Sequence, residues 1–440
     1  MTVAEGGPRI GVVVVHYGTD ELTLRCLRAL LDDAASPPTE VVLVDNGPGA
    51  GVAPRVRTEL PGVRVIAPGR NTGFAGGCNL GIAALSDREL VALVNSDAVV
   101  GAGWLTPLLR VLDDDPLVGA VVPKVVYDGQ FHELTISACR TWRPGRGDGR
   151  QLAWQLRRVE VGGQDVTGRC HLLHGFWEPG RGGRWAGERA VLRIPAVEGA
   201  TNATVVLGTP PGQAVELDVG DGAPRRVAPG EGTCTVPLPR PALCVVNNVG
   251  NEWRSDGYGL DRGYQEVDRG QYDEPTEVPA WCGGAVLLRA AYLHDVGTFD
   301  ERLFLYYEDL ELSRRGAARG WRYRCEPAAV VQHRHGASAG GDAFGSERLK
   351  ERNRLLVVAR HDGLAAALRQ LVRFVLVTAS YLRREMVAPI LRGAPPCGWQ
   401  VTLRVQALRS ALAGLPGMWA SGRRDRRREP GRGGGMRPLA

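Results

Sequence analysis

The 440-residue sequence predicts an α/β protein with a mostly parallel sheet, an inserted all-β sandwich-like domain and a helical C-terminal region. Three observations predict it. Short β-branched runs alternate with helical stretches near the N-terminus, which builds a sheet covered on both faces. From about Arg140 to Leu243, Gly and Pro become frequent and helical periodicity disappears. From about Ser346 onward the pattern is helical, with ERNRLLVVARHDGLAAALRQLVRFVLVTASYL as its longest stretch.

The elements follow in order. Ile10–Val15 is a continuous apolar run, as expected of a strand buried on both faces. Glu21–Leu31 places Leu22, Leu24, Leu27, Leu30 and Leu31 along a helix. Val41–Val44, Val63–Ile66 and Leu90–Val94 read as further strands, with helices near Gly76–Leu85 and Trp104–Leu112. In the Gly/Pro-rich segment, Ala190–Ile194, Thr204–Leu207, Val215–Val219, Thr233–Val236 and Leu243–Val246 are short runs between turns. That spacing predicts a β-sandwich or small barrel inserted into the first domain. The α/β pattern returns at Trp281 and runs to about His335.

Composition narrows the class. Hydrophobic residues make up 44% and charged residues 23%, which excludes disorder as a global state. Nine cysteines without a C-x-x-C pair argue against a disulfide framework or a zinc ribbon, and fit reduced thiols. The polar N-terminus does not read as a secretion signal, and no apolar run reaches the length of a membrane span. A cytoplasmic location is therefore expected. The Arg-rich, Gly-rich end reads as a solvated tail, with or without an anionic surface as partner.

Ligands of such sheets bind beyond the carboxyl ends of the strands, and polar residues collect there. The first strand ends in His16-Tyr17, the second in Asp45-Asn46, the fourth in Asn95-Ser96-Asp97. The third leads into Arg70-Asn71-Thr72-Gly73-Phe74-Ala75-Gly76-Gly77-Cys78-Asn79, a Gly-rich run before a helix. Buried amides and carboxylates are costly unless paired or ligand-bound, and glycines let backbone approach a nucleotide closely. Each cluster alone is also compatible with turn chemistry or helix capping. Together, at four strand ends, they predict a nucleotide site.

This series resembles the family 2 glycosyltransferases of the GT-A fold. Val13-Val14-Val15-His16-Tyr17, the V-D-N of Val44-Asp45-Asn46, Asn71 to Asn79 and Asn95-Ser96-Asp97 follow its motifs in order. Downstream come Cys282-Gly283-Gly284-Ala285, then Gly297-Thr298-Phe299-Asp300-Glu301 and Tyr306-Tyr307-Glu308-Asp309-Leu310-Glu311-Leu312, and finally His333 at the end of an apolar run. The similarity covers roughly 1–130 and 245–360 and is nearest to the branch that includes rhamnosyl- and galactofuranosyltransferases of bacterial cell-surface glycans.

The resemblance implies an inverting, metal-dependent enzyme using a dTDP- or UDP-sugar and a glycan or lipid-linked glycan acceptor, with no nucleic-acid partner. It implies Asp97 and His333 as ligands of Mg²⁺ or Mn²⁺, Asp309 as the base and Glu308 beside it. It also implies donor contacts from His16, Tyr17, Asp45, Asn46, Arg70, Asn71, Gly73, Phe74, Gly77, Asn79, Asn95, Ser96 and Asp97. Trp281, Cys282, Gly283 and Gly284 fall on the acceptor side. The corresponding division is 1–139 for the nucleotide-binding half, 140–243 for the insert, 244–345 for the acceptor half, 346–421 for the helical region and 422–440 for the tail.

Other readings stay open at this stage. Glu308, Asp309 and Glu311 also suit an acidic helix N-terminus. Cys170, His171 and His174 lack a fourth zinc ligand. Phe176, Trp177 and Trp185 would stack on sugars if exposed, or form the insert's core if buried. The helix from Leu364 to Leu382 reads either as interfacial, in peripheral contact with anionic lipid, or as packed on the catalytic domain. A scaffold with an inactive transferase core, a nucleotidyltransferase and a transferase acting on a small-molecule natural product are the competing functions.

Overall fold

In a computed structural model of the chain, residues 9–49, 51–144, 150–180, 182–336, 342–391, 393 and 396–428 are described. The chain forms two compact units: 1–128 with 246–383 and 398–440, and 129–245 with 384–397.

The first unit is built on a mixed ten-stranded sheet. Arg64–Ile66, Thr39–Asp45, Ile10–His16 and Leu90–Asn95 lie side by side and parallel. Ala285–Arg289 then runs antiparallel between Leu90–Asn95 and Val118–Tyr127, and Arg322–His333 pairs parallel to Val118–Tyr127. Strand alternation sorts the core. Val12 and Val14 face one apolar cluster with Leu24, Leu27 and Leu108, while Val13 faces a second with Cys78, Ile82 and Leu93. Both faces are thus covered, as the continuous apolar strands require.

The helix Gly73–Ala84 packs unusually close to this sheet. A Cβ on Gly77 would sit 2.7 Å from Val15, and one on Gly81 would sit 2.3 Å from Val13. Gly77 and Gly81 therefore serve close helix–sheet packing.

The second unit starts with the strand Phe131–Ala138, ahead of the change in composition at Arg140, because that strand pairs with Gly183–Pro195 and Val215–Asp218. Its nine strands form one antiparallel sheet, rather than the two of a sandwich. Residues from both ends of the strand order, Val227 and Val236, share a single core with Trp154, Leu192 and Leu207, so the sheet is rolled around it. Phe176 meets Trp154 edge-on at 5.8 Å and belongs to this core, whereas Trp177 is exposed. The expected run Leu243–Val246 is displaced: the strand is Val246–Asn248, and it pairs with the first unit's sheet. Among the described residues no group of three or more metal-ligating side chains forms, at Cys170, His171 and His174 or elsewhere.

Three long helices, Ala343–His361, Gly363–Leu382 and Trp399–Arg428, complete the chain. Residues 422–428, expected in the tail, are helical, and the rest of the tail lies outside the described residues. Gly422 lies so near the Arg360 carbonyl that a Cβ there would come within 2.0 Å of it. Arg360 bonds Asp300 at 2.7 Å and Asp425 at 2.9 Å, and reaches Glu311 at 3.1 Å. Glu311 is fully buried and also pairs with Arg315. Burial opposes its ionisation, but Arg315, His361 and Arg360 hold its carboxyl well below the usual range. Glu311 is thus an anchor for the C-terminal helices. The helical run Gly363–Leu391 is long and apolar enough to cross a membrane by length and composition. Uninterrupted apolar runs do not reveal it, because Arg369 and Arg373 break the run, although its most apolar 18 residues average a hydropathy of 1.3.

Candidate active site

Parallel pairing sets His16 beside Asp45 and Val15 beside Asn95, so the strand ends form one row. The first members of that row are largely held by the protein itself. His16 is buried, with Nδ1 2.8 Å from Thr23 Oγ1 and Nε2 3.2 Å from Asp20. Burial lowers its pKa against the opposing charges of Asp45 and Asp20. Asp45 accepts the N–H groups of Gly47 at 2.9 Å and Ala53 at 2.8 Å, and so caps the helix Ala53–Glu59. Gly51 faces it at φ +56°, where a Cβ would meet the carboxylate. Of the two readings open for Asp45, the capping one matches its contacts.

Asn46 donates to the Gly73 carbonyl at 2.9 Å and accepts from Thr72 Oγ1 at 2.9 Å. Asn71 accepts the Gly73 N–H at 2.8 Å. Asn79 bonds both the N–H and the carbonyl of Phe299, each at 3.0 Å. Gly73 has φ +74°, and a Cβ there would meet the Phe304 carbonyl, which also accepts the Ala75 N–H. At this helix start the Gly73 and Ala75 N–H groups are thus bonded within the protein, to Asn71 and to the Phe304 carbonyl. Phe74 packs edge-on against Phe299 at 6.3 Å. Tyr17 and Arg70 are exposed and Ser96 is buried.

The next residues differ. The short strand Ala98–Val100 pairs antiparallel with the end of Arg322–His333, which sets Asp97 against His333. Asp97 Oδ1 lies 3.0 Å from His333 Nε2, and Asn95 Nδ2 lies 3.3 Å from the same nitrogen. His333 Nδ1 faces Asn247 Oδ1 at 2.9 Å. An amide oxygen only accepts, so Nδ1 carries a hydrogen and Nε2 turns its remaining valence toward Asp97. Burial raises the Asp97 pKa, but the His333 hydrogen bond and charge outweigh it and leave it lowered. Two electron-rich atoms converge on one point, the geometry that a bridging proton or cation satisfies. The third group of this corner is aromatic: His335 lies between Tyr127 and Tyr264, with ring centroids 5.7 and 5.6 Å away.

Glu308 and Asp309 open the helix Glu308–Ala318, following Phe304, Tyr306 and Tyr307, all left-handed at φ +66° to +71°. Such a loop costs on the order of 1–3 kcal/mol per residue and needs external support. Asn353 supplies it, with Nδ2 2.8, 2.9 and 2.7 Å from the carbonyls of Leu303, Leu305 and Tyr306.

Asp309 Oδ2 accepts the Gly283 N–H at 2.9 Å and Asn251 Nδ2 at 3.2 Å. Burial raises the Asp309 pKa against these hydrogen bonds, and burial with the Asp309 charge raises that of Glu308 further. Glu308 Oε2 is buried without a hydrogen-bond partner. Asn248 donates to both Asn251 Oδ1 and Asp261 Oδ1 at 2.8 Å, which links Asp261 to Asp309.

One dipeptide joins the two corners. The Gly283 N–H bonds Asp309, and the Gly284 carbonyl accepts the Asn95 N–H at 2.9 Å. Cys282 Sγ accepts from the Gly284 N–H at 3.5 Å. Trp281, expected on the acceptor side, is instead fully buried, and its indole N–H meets the Tyr292 hydroxyl at 3.3 Å. Its side chain is core because it alternates with Cys282 on a segment with one face turned inward.

Asn247, Asn248, Asn251, Asp261 and Asn353 were not singled out as site residues from the sequence. The amide-rich run Asn247-Asn248-Val249-Gly250-Asn251 was the available signal. For Asn353, within a helix of Arg and apolar residues, there was none.

Comparison with known proteins bears on the family and the fold. Residues 11–167 match the family model described as Glycosyl transferase family 2. The N-acetylglucosaminyl-diphospho-decaprenol L-rhamnosyltransferase of Mycobacterium tuberculosis is 36% identical over 113 residues, 25% of this chain and 37% of that protein. The chain thus spans little more than a third of the relative's length. Among solved structures, GalNAc-T7 with UDP, GalNAc and Mn²⁺ is 14% identical, with a TM-score of 0.44 over 81% of this chain and 49% of that one. The mannosyltransferase PcManGT of Pyrobaculum calidifontis with GDP-Man and Mn²⁺ is 13% identical, with a TM-score of 0.39 over 93% and 87%. Similarity at that level bears on neither substrate nor metal. The family match over 11–167 and the partial rhamnosyltransferase likeness make this chain similar to the family 2 glycosyltransferases.

Proposed function

We propose that the chain transfers a sugar, with inversion, from a dTDP- or UDP-sugar to a hydroxyl of a glycan or lipid-linked glycan. The observation that supports this reading is the Gly283-Gly284 dipeptide, bonded on one side to Asp309 and on the other to the backbone of Asn95, whose side chain reaches the His333 imidazole that meets Asp97.

Asp97 and His333 fit a divalent cation. Asn247 fixes the imidazole with Nε2 toward Asp97, the support a metal-bound histidine normally has. With only two protein ligands, diphosphate oxygens and water would complete the shell of Mg²⁺ or Mn²⁺. A cation held there supplies Lewis-acid stabilisation of charge on the departing diphosphate. Asn95, bonded to the same imidazole, keeps that ring oriented.

Asp309 takes the acceptor's proton. As it does so, the acceptor oxygen bonds the anomeric carbon, the carbon–oxygen bond to the diphosphate breaks, and the electron pair leaves with the nucleoside diphosphate. Its raised pKa makes it a stronger base than an exposed carboxylate, and the Gly283 N–H and Asn251 amide aim it. The unpartnered Glu308 oxygen marks where an acceptor hydroxyl would donate. The acceptor class follows the rhamnosyltransferase relative, whose name specifies a decaprenol-linked diphosphosugar.

The test is turnover of a panel of dTDP- and UDP-sugars with Mn²⁺ and with chelator. Metal-stimulated release of nucleoside diphosphate, lost in Asp97→Ala with an unchanged melting point, supports the proposal. Turnover indifferent to chelator would overturn the metal assignment. No turnover of any donor, with glycan binding retained, would favour a binding scaffold.

A further inference from the structure

The helix Gly363–Leu382 has one face docked and one face bare. Phe374 and the partly buried Leu371 pack against Leu355, Ala407 and Ala411, Ala367 is buried, and the Arg404 guanidinium lies 3.9 Å over the Phe374 ring. On the other side Leu364, Leu368, Val372, Val375, Leu376 and Leu382 are exposed, with Val372 at 59% and Leu376 at 65%. At 3.6 residues per turn these fall within an arc of about 120°. Arg369 and Arg373 lie just past one edge of that arc, both exposed, and the helix contains no Asp or Glu. Arg373 comes no nearer than 4.0 Å to Asp256, and its side chain keeps 64% exposure.

We propose that this face lies in the plane of a membrane and binds a surface rich in anionic lipid. The chemistry fits one occupant. A bare apolar arc of this width enters the boundary between headgroups and acyl chains, while arginines at its edge reach lipid phosphates. Crossing the bilayer would carry Arg369 and Arg373 into hydrocarbon and strip Phe374 from Arg404, at high cost on both counts. A second copy meeting the same face about a two-fold axis would bring like-charged arginines together, which is repulsive. The lipid surface neutralises them. This inference rests on the helix alone and stands whether or not the proposed transfer reaction is correct.

The experiment is flotation of the full chain with vesicles of phosphatidylcholine, with and without phosphatidylglycerol. Binding is expected to need phosphatidylglycerol and to weaken with salt. The double substitution Leu368→Asp, Leu376→Asp should abolish it. Arg369→Glu with Arg373→Glu should lower partitioning by about tenfold or more. Both pairs are exposed, so the melting point of each variant should match wild type. Indifference to anionic vesicles at low salt, or wild-type binding by either variant, overturns the proposal. So does retention in cell membranes through an alkaline carbonate wash, which indicates crossing. So does a stable dimer in solution that Leu368→Asp dissociates and that ignores vesicles.

Discussion

The two corners of the site handle polar groups in opposite ways. Along the first strand ends, Asp45, Asn46, Asn71 and Asn79 bond the protein's own backbone, shaping the loop after Asn46, the glycine run and the turn at Phe299. Around Glu308 and Asp309, burial raises both carboxyls and Glu308 Oε2 lacks a partner among the described residues, while Asp97 is held by the His333 imidazole. A buried polar atom left unsatisfied costs on the order of 1–3 kcal/mol, so a fold retains it only where something else completes it. The same residue types, at equivalent places on one sheet, therefore divide into framework and chemistry by whether their hydrogen bonds are already made.

Substitutions test that division, the largest effect first. Asp97→Ala removes the carboxylate that faces His333 and holds no helix or loop in place, so metal-stimulated turnover should fall to background while the melting point holds. A variant that unfolds instead would move Asp97 to the framework side. Asp309→Asn should reduce transfer by about 10²–10⁴-fold with little change in donor affinity measured by titration. Loss of donor affinity would reassign it to the nucleotide.

The raised carboxyls give a signed pH dependence. Asp309 acts as base only when ionised, so transfer should climb with pH over a range displaced above that of a free carboxylate, about 4. Glu308 is raised further and stays neutral over that range, so Glu308→Gln should leave the rise near its wild-type position. The stability effect has the opposite sense: ionising buried acids opposes folding, so stability should decline as pH rises through their raised values. The decline should be shallower in Glu308→Gln, measured by denaturant titration across pH.

Framework residues should answer in stability alone. Glu311→Gln leaves Arg315 and Arg360 short of their buried partner and should cost about 3–5 kcal/mol in denaturant unfolding, with residual activity per folded molecule intact. Asn79→Ala should cost about 1–3 kcal/mol, with donor affinity near wild type. A large loss of donor affinity at unchanged stability in Asn79→Ala would erase the distinction between the two corners.

The sequence by itself determined the sheet strands of the N-terminal half, because Val-rich runs buried on both faces admit no other periodicity. It also determined which strand ends carry polar residues, since those are counted directly from each apolar run, and Asp97 could be found that way, whereas Glu308-Asp309 came from the family resemblance. Only the tertiary structure decided which of them are free. Asp45 is a cap because Gly47 and Ala53 fold back onto it. Trp281 is core because its indole reaches Tyr292. His333 meets Asp97 across 236 residues of chain. Asn353 supports the Tyr306 loop from a helix whose own pattern shows no sign of it. Local propensity and hydrophobic period act over a few residues, whereas hydrogen-bond satisfaction is a property of neighbours in space. The first can be read along the chain, and the second exists only once the chain has closed on itself.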